Sequence, residues 1–184
     1  MQRDFWKGKR VLITGHTGFK GSWLCEMLLA RGAKVFGLAL EPIGKQALFN
    51  DLRLRERTDH KIVDLRDRCA VRVRLAEIQP EAIFHLGAQA VVSSSHEDPV
   101  GTWEINVMGT INILDSMLSL KMFPPTVIVT TDKVYRNEEW DHCYRETDSL
   151  GGGDPYSASK AAVEIAVDSW RTSFPKLCVA TARA

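Results

Sequence analysis

Long hydrophobic runs and a surplus of either charge are both missing from this sequence. Its aliphatic runs, such as Val127–Val129, are far shorter than the roughly 20 apolar residues that span a bilayer. The formal net charge is only +1, so we expect neither nucleic acid nor a membrane as a partner. The segment Met1–Arg10 is charged and lacks the apolar stretch of a signal peptide, so no secretory signal is predicted.

Cysteine is scarce and scattered. The four cysteines are Cys25, Cys69, Cys143 and Cys178. They form no Cys-x-x-Cys pair and have no histidine at metal-ligand spacing, so we predict no metal site. A chain of 184 residues can bury a hydrophobic core without disulfide bonds. We therefore interpret the four cysteines as reduced thiols of a cytoplasmic protein.

What the sequence does contain is an alternation of short apolar runs and longer helical segments. The predicted strands are Lys9–Thr14, Lys34–Leu40, His60–Val63, Ala82–Leu86, Thr126–Thr131 and Leu177–Thr181. The predicted helices are Ser22–Arg31, Arg68–Ile78, Val100–Leu120 and Pro155–Phe174. Strands that alternate with helices form right-handed βαβ units, and nearly continuous apolar strands suit a sheet buried on both faces. The predicted fold class is α/β, with a doubly wound parallel sheet between two layers of helices.

A glycine-rich run, Gly15–Gly21, directly follows the first strand and leads into a helix. Gly15 permits the tight turn, Gly18 lets the backbone approach a pyrophosphate, and Gly21 allows the helix to pack closely on the strand. The start of that helix offers free N–H groups and a positive dipole to phosphates. A glycine triplet alone also fits a plain turn, and its spacing differs from the better-known G-x-G-x-x-G. Between the first strand and first helix, it predicts a Rossmann fold that binds a dinucleotide.

The choice between NAD and NADP depends on the end of the second strand. NAD sites carry an acidic residue about 20 residues after the glycines, and Glu41 is the candidate here. No arginine stands beside it to hold a 2′-phosphate, although Lys45 is near, so we favour NAD. After the third strand, Asp64 and Leu65 could reach the adenine edge of the cofactor. The alternative for Asp64 is a helix N-cap for the following segment.

Tyr156 and Lys160 are spaced i and i+4, which places them on one face of a helix. A tyrosine with a pKa near ~10 is scarcely ionised at neutral pH, but a lysine cation and a positive nicotinamide ring both favour the phenolate. Tyr156 is therefore a candidate base for a sugar hydroxyl. The alternative is an amphipathic surface pair.

A second group of candidates, Thr131, Asp132 and Lys133, follows the fifth strand. Open α/β sheets place their sites at the carboxyl ends of the strands. Two adjacent ionisable groups there could divide acid and base work, because each shifts the pKa of the other. The alternative is a salt pair within a loop.

Together these elements resemble the extended short-chain dehydrogenase/reductases, the sugar-nucleotide epimerases and dehydratases. Closer features resemble the CDP-glucose 4,6-dehydratases within that family. The runs that carry this resemblance are FWKGKR (Phe5–Arg10), GHTGFKGSWL (Gly15–Leu24), NVMGT (Asn106–Thr110), TDKVY (Thr131–Tyr135), EEW (Glu138–Trp140), YRE (Tyr144–Glu146) and DPYSASK (Asp154–Lys160). The most specific point is Lys133, where dTDP-glucose dehydratases carry glutamate and epimerases have a serine-rich run without the carboxylate.

The resemblance implies a dehydration that proceeds by an internal hydride transfer. Tyr156 would remove the proton of the glucose 4-hydroxyl while hydride leaves C4 for NAD, and Thr131 would hydrogen-bond the 4-oxygen. Lys133 would act in deprotonation at C5, and Asp132 would protonate the departing 6-hydroxyl. Hydride would then return to C6, which gives a 4-keto-6-deoxy sugar nucleotide. Lys160 would hold the nicotinamide ribose and depress the pKa of Tyr156.

The resemblance also implies a set of cofactor contacts. We expect NAD to be held by Gly15, Thr17, Gly18, Phe19, Gly21, Asp64, Leu65, Leu86, Ala88, Gln89, Tyr156 and Lys160. The products of such enzymes are deoxysugars for lipopolysaccharide and O-antigen, made in the cytoplasm. The family forms homodimers through two long helices, which correspond here to Val100–Leu120 and Pro155–Phe174.

Three features depart from the family pattern. Gly87 replaces an alanine in HLGAQ, a small change, and Val92–Ser95 lies where family members tend to carry arginine, which puts substrate preference in doubt. In the family, the run Thr181–Ala184 continues into a C-terminal domain that holds the nucleotide of the substrate. We therefore expect residues 1–184 to form the NAD-binding domain alone, and to bind NAD but turn over sugar nucleotide poorly.

Two other functions are open at this point. One is a dinucleotide-binding module without catalysis, which the length of the chain favours. The other is a nucleotide-sugar epimerase, against which Asp132 and Lys133 argue.

Overall fold

The computed structural model describes residues 5–44 and 46–184. Within them, six strands form one parallel sheet in the order β3-β2-β1-β4-β5-β6. The strands are β1 (Arg10–Thr14), β2 (Lys34–Ala39), β3 (Asp59–Ile62), β4 (Ala82–His85), β5 (Thr126–Thr130) and β6 (Val179–Arg183). The prediction of an α/β fold with a doubly wound parallel sheet is confirmed.

Helices connect the strands. They are α1 (Phe19–Leu29), α2 (Leu48–Asp51), α3 (Leu54–Arg57), α4 (Arg68–Ile78), α5 (Val92–Glu97), α6 (Pro99–Trp103), α7 (Gly109–Ser119) and α8 (Pro155–Ser173), with a π-helical turn at Glu104–Met108 and a 3₁₀ turn at Asp132–Val134. The sequence predicted α4 to the residue. It missed α2, α3 and α5, because helices of four to six residues are too short to show a helical period.

Alternate residues of each central strand enter two separate hydrophobic cores. Leu12 packs in one core with residues of α4, α7 and α8. Val11 and Ile13 pack in the other, with residues of α1 and the short helices α2 and α3. The sheet is therefore covered by helices on both faces, which explains why its strands show no polar alternation.

Most predicted boundaries differ from the structure by one or two residues, and the starts of two elements were wrong by two and three. The sixth strand begins at Val179, two residues later than predicted, although Leu177 is buried in the core. The first helix begins at Phe19, not Ser22, because Gly18 serves as its N-cap and the end of the glycine run is already helical. A hydrophobic residue that packs on the core need not belong to the adjoining strand.

The long helix predicted over Val100–Leu120 is interrupted. Asp98 accepts a hydrogen bond from the Gly101 N–H at 2.9 Å and caps α6, and a π-helical turn follows before α7. That turn carries Asn106, which is 1% exposed. π-Helical turns within helices often mark functional positions.

Among the residues that the structure describes, no helix is both long and apolar enough to cross a bilayer.

Candidate active site

The glycine turn lies at the carboxyl end of β1. Gly15 has φ +68°, and a Cβ at that position would lie 2.7 Å from the Gly87 nitrogen. A Cβ on Gly21 would lie 2.2 Å from the carbonyl oxygen of Gly15, so only glycine lets α1 sit this close to the turn. Gly18 is exposed and no side chain caps α1, which leaves the helix start open to an anion.

The buried side chain of His16 fixes the position of this turn. The sequence did not predict that role. Its ring is fully buried, with Nε2 2.6 Å from Nδ1 of His60, and it contacts the Phe49 ring edge-on. A Cβ on Gly37 of β2 would lie 2.4 Å from the His16 ring, so glycine there makes room for the imidazole. Burial, with His60 as a second cause, lowers the pKa of His16 to about 3. The turn is thus held by a neutral histidine.

Glu41 lies just past β2, as expected, but the sequence did not predict the arginine beside it. Arg55 of α3 donates to Glu41 Oε2 at 2.6 Å. An arginine therefore does stand beside the acidic residue, brought there by a helix that the sequence did not reveal. Lys45 lies outside the described residues. The Thr17 hydroxyl donates to the Leu40 carbonyl at 2.9 Å and ties the glycine turn to this region.

Asp64 is not the N-cap of the following helix. Asp67 has that role, because its carboxylate accepts the Ala70 N–H at 2.9 Å. Asp64 instead pairs with Arg66 at 2.7 Å, and the hydrogen bond from Arg66 lowers the pKa of the Asp64 carboxyl. The N-cap alternative is wrong, and the contact of Asp64 with adenine stays a prediction.

The segment that follows β4, Leu86–Gln89, runs alongside the glycine turn. The Gly87 N–H donates to Thr14 Oγ1 at 2.9 Å, and Leu65 fills the space where a Cβ of residue 87 would stand, 2.6 Å from its Cδ1. Gln89 is fixed by Asn106, whose Oδ1 accepts the Gln89 N–H at 2.8 Å and whose Nδ2 donates to the Gln89 carbonyl at 3.0 Å. Two predicted cofactor residues, Leu65 and Gln89, are therefore held at this edge.

A buried histidine supports the same edge. Thr14 Oγ1 lies 2.7 Å from Nδ1 of His85, and Nε2 of His85 lies 3.0 Å from Thr110 Oγ1. The Thr110 hydroxyl donates to the Asn106 carbonyl, so His85 must donate through Nε2 and accept through Nδ1. Burial, followed by the charge of Lys160, lowers the pKa of His85 to about 3. The imidazole is therefore neutral.

Tyr156 and Lys160 lie in the first half of α8. Asp154 caps the helix by accepting the Ser157 N–H at 2.9 Å, and Pro155 occupies its first turn, as predicted. Lys160 Nζ donates to the Val129 carbonyl at 3.1 Å. Tyr156 and Lys160 are 9% and 7% exposed, which excludes the alternative of a surface pair.

Lys160 is unusual in its electrostatics. Burial, followed by repulsion from Lys20, lowers its pKa to about 8, while Glu164 acts in the opposite direction. At neutral pH the ammonium is still the main form, so a cation stands on the same helix face as Tyr156.

Thr131 is the N-cap of the 3₁₀ turn that leaves β5, and Asp132 and Lys133 are the first two residues of that turn; together they form the Thr131–Lys133 turn. The Thr131 hydroxyl donates to Asp132 Oδ1 at 3.1 Å and accepts the Lys133 N–H at 3.4 Å. The side chains of Asp132 and Lys133 are exposed and form no ion pair with each other. The alternative of a loop salt pair is wrong, and both groups are free to meet a ligand.

Glu164 and Arg183 were also missed by the sequence analysis. Glu164 follows Lys160 by one helical turn and is 6% exposed, and Arg183 pairs with it from the end of β6. The i+4 spacing from Lys160 was a usable signal for Glu164. Arg183 gave none, since the residue next to it in space is 19 positions away.

Metal ligation finds no support in the described parts of the chain, where no group of three potential ligands comes together.

Comparisons with known proteins agree with this arrangement. The family described as "GDP-mannose 4,6 dehydratase" matches residues 12–183. CDP-glucose 4,6-dehydratase of Salmonella typhimurium is 43% identical over 174 residues, which cover 95% of this chain and 48% of that protein. GDP-mannose 4,6-dehydratase of Vibrio cholerae is 29% identical over 182 residues, or 90% of this chain and 46% of that protein. The chain thus spans about half the length of these curated relatives.

A solved structure is similar as well. The UDP-glucose 4-epimerase of Thermus thermophilus, in complex with NAD, superposes with a TM-score of 0.81 at 33% identity. The match covers 95% of this chain and 54% of the epimerase.

Proposed function

Since this chain belongs to the GDP-mannose 4,6 dehydratase family, we propose that it is the NAD-binding, catalytic part of a nucleotide-sugar 4,6-dehydratase. The proposed substrate is CDP-glucose, and the products are CDP-4-keto-6-deoxyglucose and water. The observation that carries the proposal is the Thr131–Lys133 turn, with free acid and amine side chains, at the sheet edge that α8 also lines with Tyr156 and Lys160.

The residues present fit a dinucleotide. Gly18 leaves the helix start uncovered, and Gly15 and Gly21 are required by the close approach of backbone atoms. NAD is favoured over NADP by Glu41, which would repel a 2′-phosphate and whose carboxylate is held by Arg55. The bound NAD of the related epimerase supports the same choice. Bound NAD would supply the acceptor, and later the donor, of one hydride.

Tyr156 would take the proton of the 4-hydroxyl. Its position on α8 is fixed by the Asp154 cap, and the Lys160 cation one helical turn later favours the charge that forms on its phenolate. Lys160 would also donate to the nicotinamide ribose. Its Nζ already donates one proton to the Val129 carbonyl. An ammonium has three donors, so both bonds are compatible.

Asp132 and Lys133 would carry out the elimination. Lys133 would remove the C5 proton, which the 4-ketone acidifies, and Asp132 would protonate the departing 6-hydroxyl. Their exposed side chains have no competing ion partner among the described residues, which leaves them available to the sugar. Thr131 is bonded to Asp132 and would hydrogen-bond the 4-oxygen in place of that bond, since a hydroxyl has one proton to donate.

The same pair of residues favours dehydration over epimerisation. An epimerase needs hydride transfer at C4 but no acid for a leaving hydroxyl. The similarity to a UDP-glucose 4-epimerase of known structure concerns the shared fold and NAD binding. CDP is favoured as the nucleotide because identity with the CDP-glucose enzyme is 43%, against 29% with the GDP-mannose enzyme.

The decisive experiment is mass spectrometry of residues 1–184 incubated with NAD and CDP-glucose, with NAD binding measured in the same sample. We expect bound NAD and little product, because residues 1–184 span only about half the length of the curated relatives. A sugar nucleotide lighter by one water would establish dehydration directly, and parallel reactions with UDP- and dTDP-glucose would identify the base.

A matched pair of variants tests the cofactor site. Gly18→Val should abolish NAD binding, since a side chain there covers the open helix start. His142→Ala, in the exposed loop after β5, should leave the affinity unchanged. Wild-type chain that folds but fails to bind NAD would overturn the proposed function.

We further propose that the chain forms a homodimer through the face that α6, its π-helical turn and α8 present. Val100, Trp103, Met108 and Ile165 are exposed there, and Val100, Trp103 and Met108 border an apolar depression of about 370 Å³. Exposed apolar patches of this kind mark interaction surfaces. Sedimentation should give a dimer that Trp103→Glu converts to monomer, whereas Trp23→Glu, at an exposed site on α1, leaves it intact.

The cytoplasm is the proposed location. All four cysteines are free thiols, three of them exposed, which suits a reducing compartment. The proposed product is a precursor of deoxysugars in lipopolysaccharide and O-antigen.

A further inference from the structure

A buried carboxylate ties the catalytic helix to the ends of two strands. Glu164 of α8 accepts hydrogen bonds from the Thr130 hydroxyl, from the Thr181 hydroxyl at 2.9 Å and from Arg183 Nη2 at 3.0 Å. Thr130 is the last residue of β5, and Thr181 and Arg183 belong to β6. Both carboxylate oxygens are therefore satisfied, which is what a buried charge requires.

The guanidinium on the other side of this pair extends the connection into the loop after β5. Arg183 Nη1 donates to the Tyr135 hydroxyl at 2.9 Å and to the Glu146 carbonyl at 3.2 Å. The guanidinium carbon also lies 4.9 Å from the centre of the Tyr135 ring, within cation–π range. Tyr135 in turn stacks on Tyr144, with ring centres 4.9 Å apart.

The pKa values of Glu164 and Arg183 both favour the charged forms of this ion pair. Burial acts to raise the pKa of Glu164, but the hydrogen bonds from Arg183, Thr130 and Thr181 outweigh it and hold the pKa below its usual value. The hydrogen bond to Glu164 raises the pKa of Arg183. Glu164 and Arg183 are therefore both charged at neutral pH, and the ion pair between them is present there.

The connection brackets the Thr131–Lys133 turn. Thr130, held by Glu164, immediately precedes the turn, and Tyr135, held by Arg183, follows it. The side chains of Asp132 and Lys133 are exposed and form no ion pair, and Asp132 is bonded to the adjacent Thr131, so the two ends of the turn determine where they lie. Glu164 is also one helical turn from Lys160, on the buried face of α8.

From this geometry we propose that Glu164 and Arg183 are positioning residues, which fix the Asp132–Lys133 turn relative to Tyr156 and Lys160. The proposal rests on the proposed function for its catalytic consequence. The two residues would govern the loss of water, which needs Asp132 and Lys133, and not NAD binding or oxidation at C4. Neither residue touches the sugar in this scheme.

A purely structural ion pair would behave differently, and the chain offers a control. Arg74 of α4 is as buried as Glu164, at 7% exposed, and pairs with Asp59 and Glu77 far from the β5 loop. Arg74→Lys should reduce stability about as much as Arg183→Lys does. Only the Arg183 and Glu164 variants should alter the β5 loop.

The first test exploits the fact that the chain has three tyrosines, Tyr135, Tyr144 and Tyr156. Carbon-13 labelling of the tyrosine ring carbon that bears the hydroxyl gives three NMR signals, assigned with tyrosine-to-phenylalanine variants. In Glu164→Gln and Arg183→Lys we expect the Tyr135 and Tyr144 signals to move and that of Tyr156 to stay. In Arg74→Lys all three should stay.

The NAD affinity of Arg183→Lys, which keeps the charge of Glu164 beside Lys160, should match that of the wild type within about twofold. An unmoved Tyr135 signal in folded Glu164→Gln, or an equal shift in Arg74→Lys, would overturn the proposal. This test uses no sugar nucleotide, so its outcome is independent of whether the proposed dehydration is correct.

The second test separates the two halves of the reaction, in wild-type protein that converts CDP-glucose. The absorbance of reduced nicotinamide should rise at the wild-type rate in Arg183→Lys, while water loss slows on the order of 10- to 100-fold because the acid and base are misplaced. Equal slowing of both steps would contradict the assignment. If the wild-type chain binds NAD without converting CDP-glucose, which is the result expected of residues 1–184, the NMR result alone decides the positioning.

Discussion

Gly15 and Gly87 lie against each other at the carboxyl edge of the sheet, but alanine should cost much more stability at one than at the other. Gly87→Ala would bring its Cβ within 2.6 Å of the end of the flexible Leu65 side chain, which can move aside. Gly15→Ala would meet backbone atoms of residue 87 at 2.7 Å and would also force alanine to φ +68°. We expect Gly87→Ala to cost about 1 kcal/mol of unfolding free energy and Gly15→Ala about 3 kcal/mol or more. Urea denaturation measures both, and equal losses would contradict the argument.

Lys160 gives the folded chain a pH dependence of its own. Its pKa is about 8 in the folded chain, against an ordinary value of 10.5, so between these values the unfolded chain binds more protons and stability rises with pH. Lys160→Met removes the cost of burying the cation. We expect it to raise the unfolding free energy at neutral pH by about 2 kcal/mol and to abolish the rise towards about pH 9.

The control for that variant is Lys176→Met, at an exposed position after α8. It should leave both the stability and its pH dependence unchanged. A Lys160→Met chain that is less stable than the wild type at neutral pH would mean that the hydrogen bond to the Val129 carbonyl outweighs the burial of the charge.

Residues whose role follows from spacing along one element were predictable from sequence. Tyr156 and Lys160 share a helix face by their i, i+4 spacing, and Gly15 and Gly21 have roles set by one turn. The roles of His16 and Arg183 were not predictable, because their partners come from elements distant in sequence. The identity of a side chain does not reveal the contacts that tertiary packing brings to it.

At the scale of elements, the π-helical turn before α7 depends on one buried amide. Asn106 bonds the backbone of Gln89 through both of its amide atoms and donates to Ser159 Oγ at 2.8 Å. Ser159 lies on α8 between Tyr156 and Lys160, so the amide joins the segment after β4 to α8.

Asn106→Ala should therefore cost about 3 kcal/mol, because buried backbone groups lose their partners. Asn106→Asp should cost as much or more, since a carboxylate cannot donate to Ser159 or to the Gln89 carbonyl. Thermal unfolding checks the order of the two variants. Ser119→Ala, exposed at the end of α7, is the matched control, and a similar loss there would contradict a specific role for the amide.

Element type was predictable from periodicity, and element continuity was not. Apolar residues recur at helical spacing throughout 100–120, so the sequence predicted one helix there. The interruption comes from Asn106, which bonds the Gln89 backbone across the sheet edge. The bounds of β6 likewise depend on its pairing with β5, in which Thr126 faces Val179.

For the whole molecule, two buried neutral histidines predict acid lability. His16 and His85 have folded pKa values of about 3, against an ordinary value of 6.5. Between these values the unfolded chain binds more protons, so stability falls as pH drops below 6.5. Each histidine contributes a slope of about 1.4 kcal/mol per pH unit at most.

Urea denaturation across this range measures the slope. His85→Gln should reduce it, and His142→Gln, exposed in the β5 loop, should leave it unchanged. A slope that survives in both variants would assign the acid lability to other groups.

The position of β1 in the middle of the sheet has a consequence for synthesis on the ribosome. Its neighbour β2 follows soon after it, but its other neighbour, β4, comes much later, and the paired residues Thr14 and His85 are 71 positions apart. At elongation rates of about 5–20 residues per second, the second edge of β1 waits roughly 4 to 14 seconds for its partner. During that interval the nascent chain presents an open, apolar strand edge to any chaperone or neighbouring chain that can pair with it.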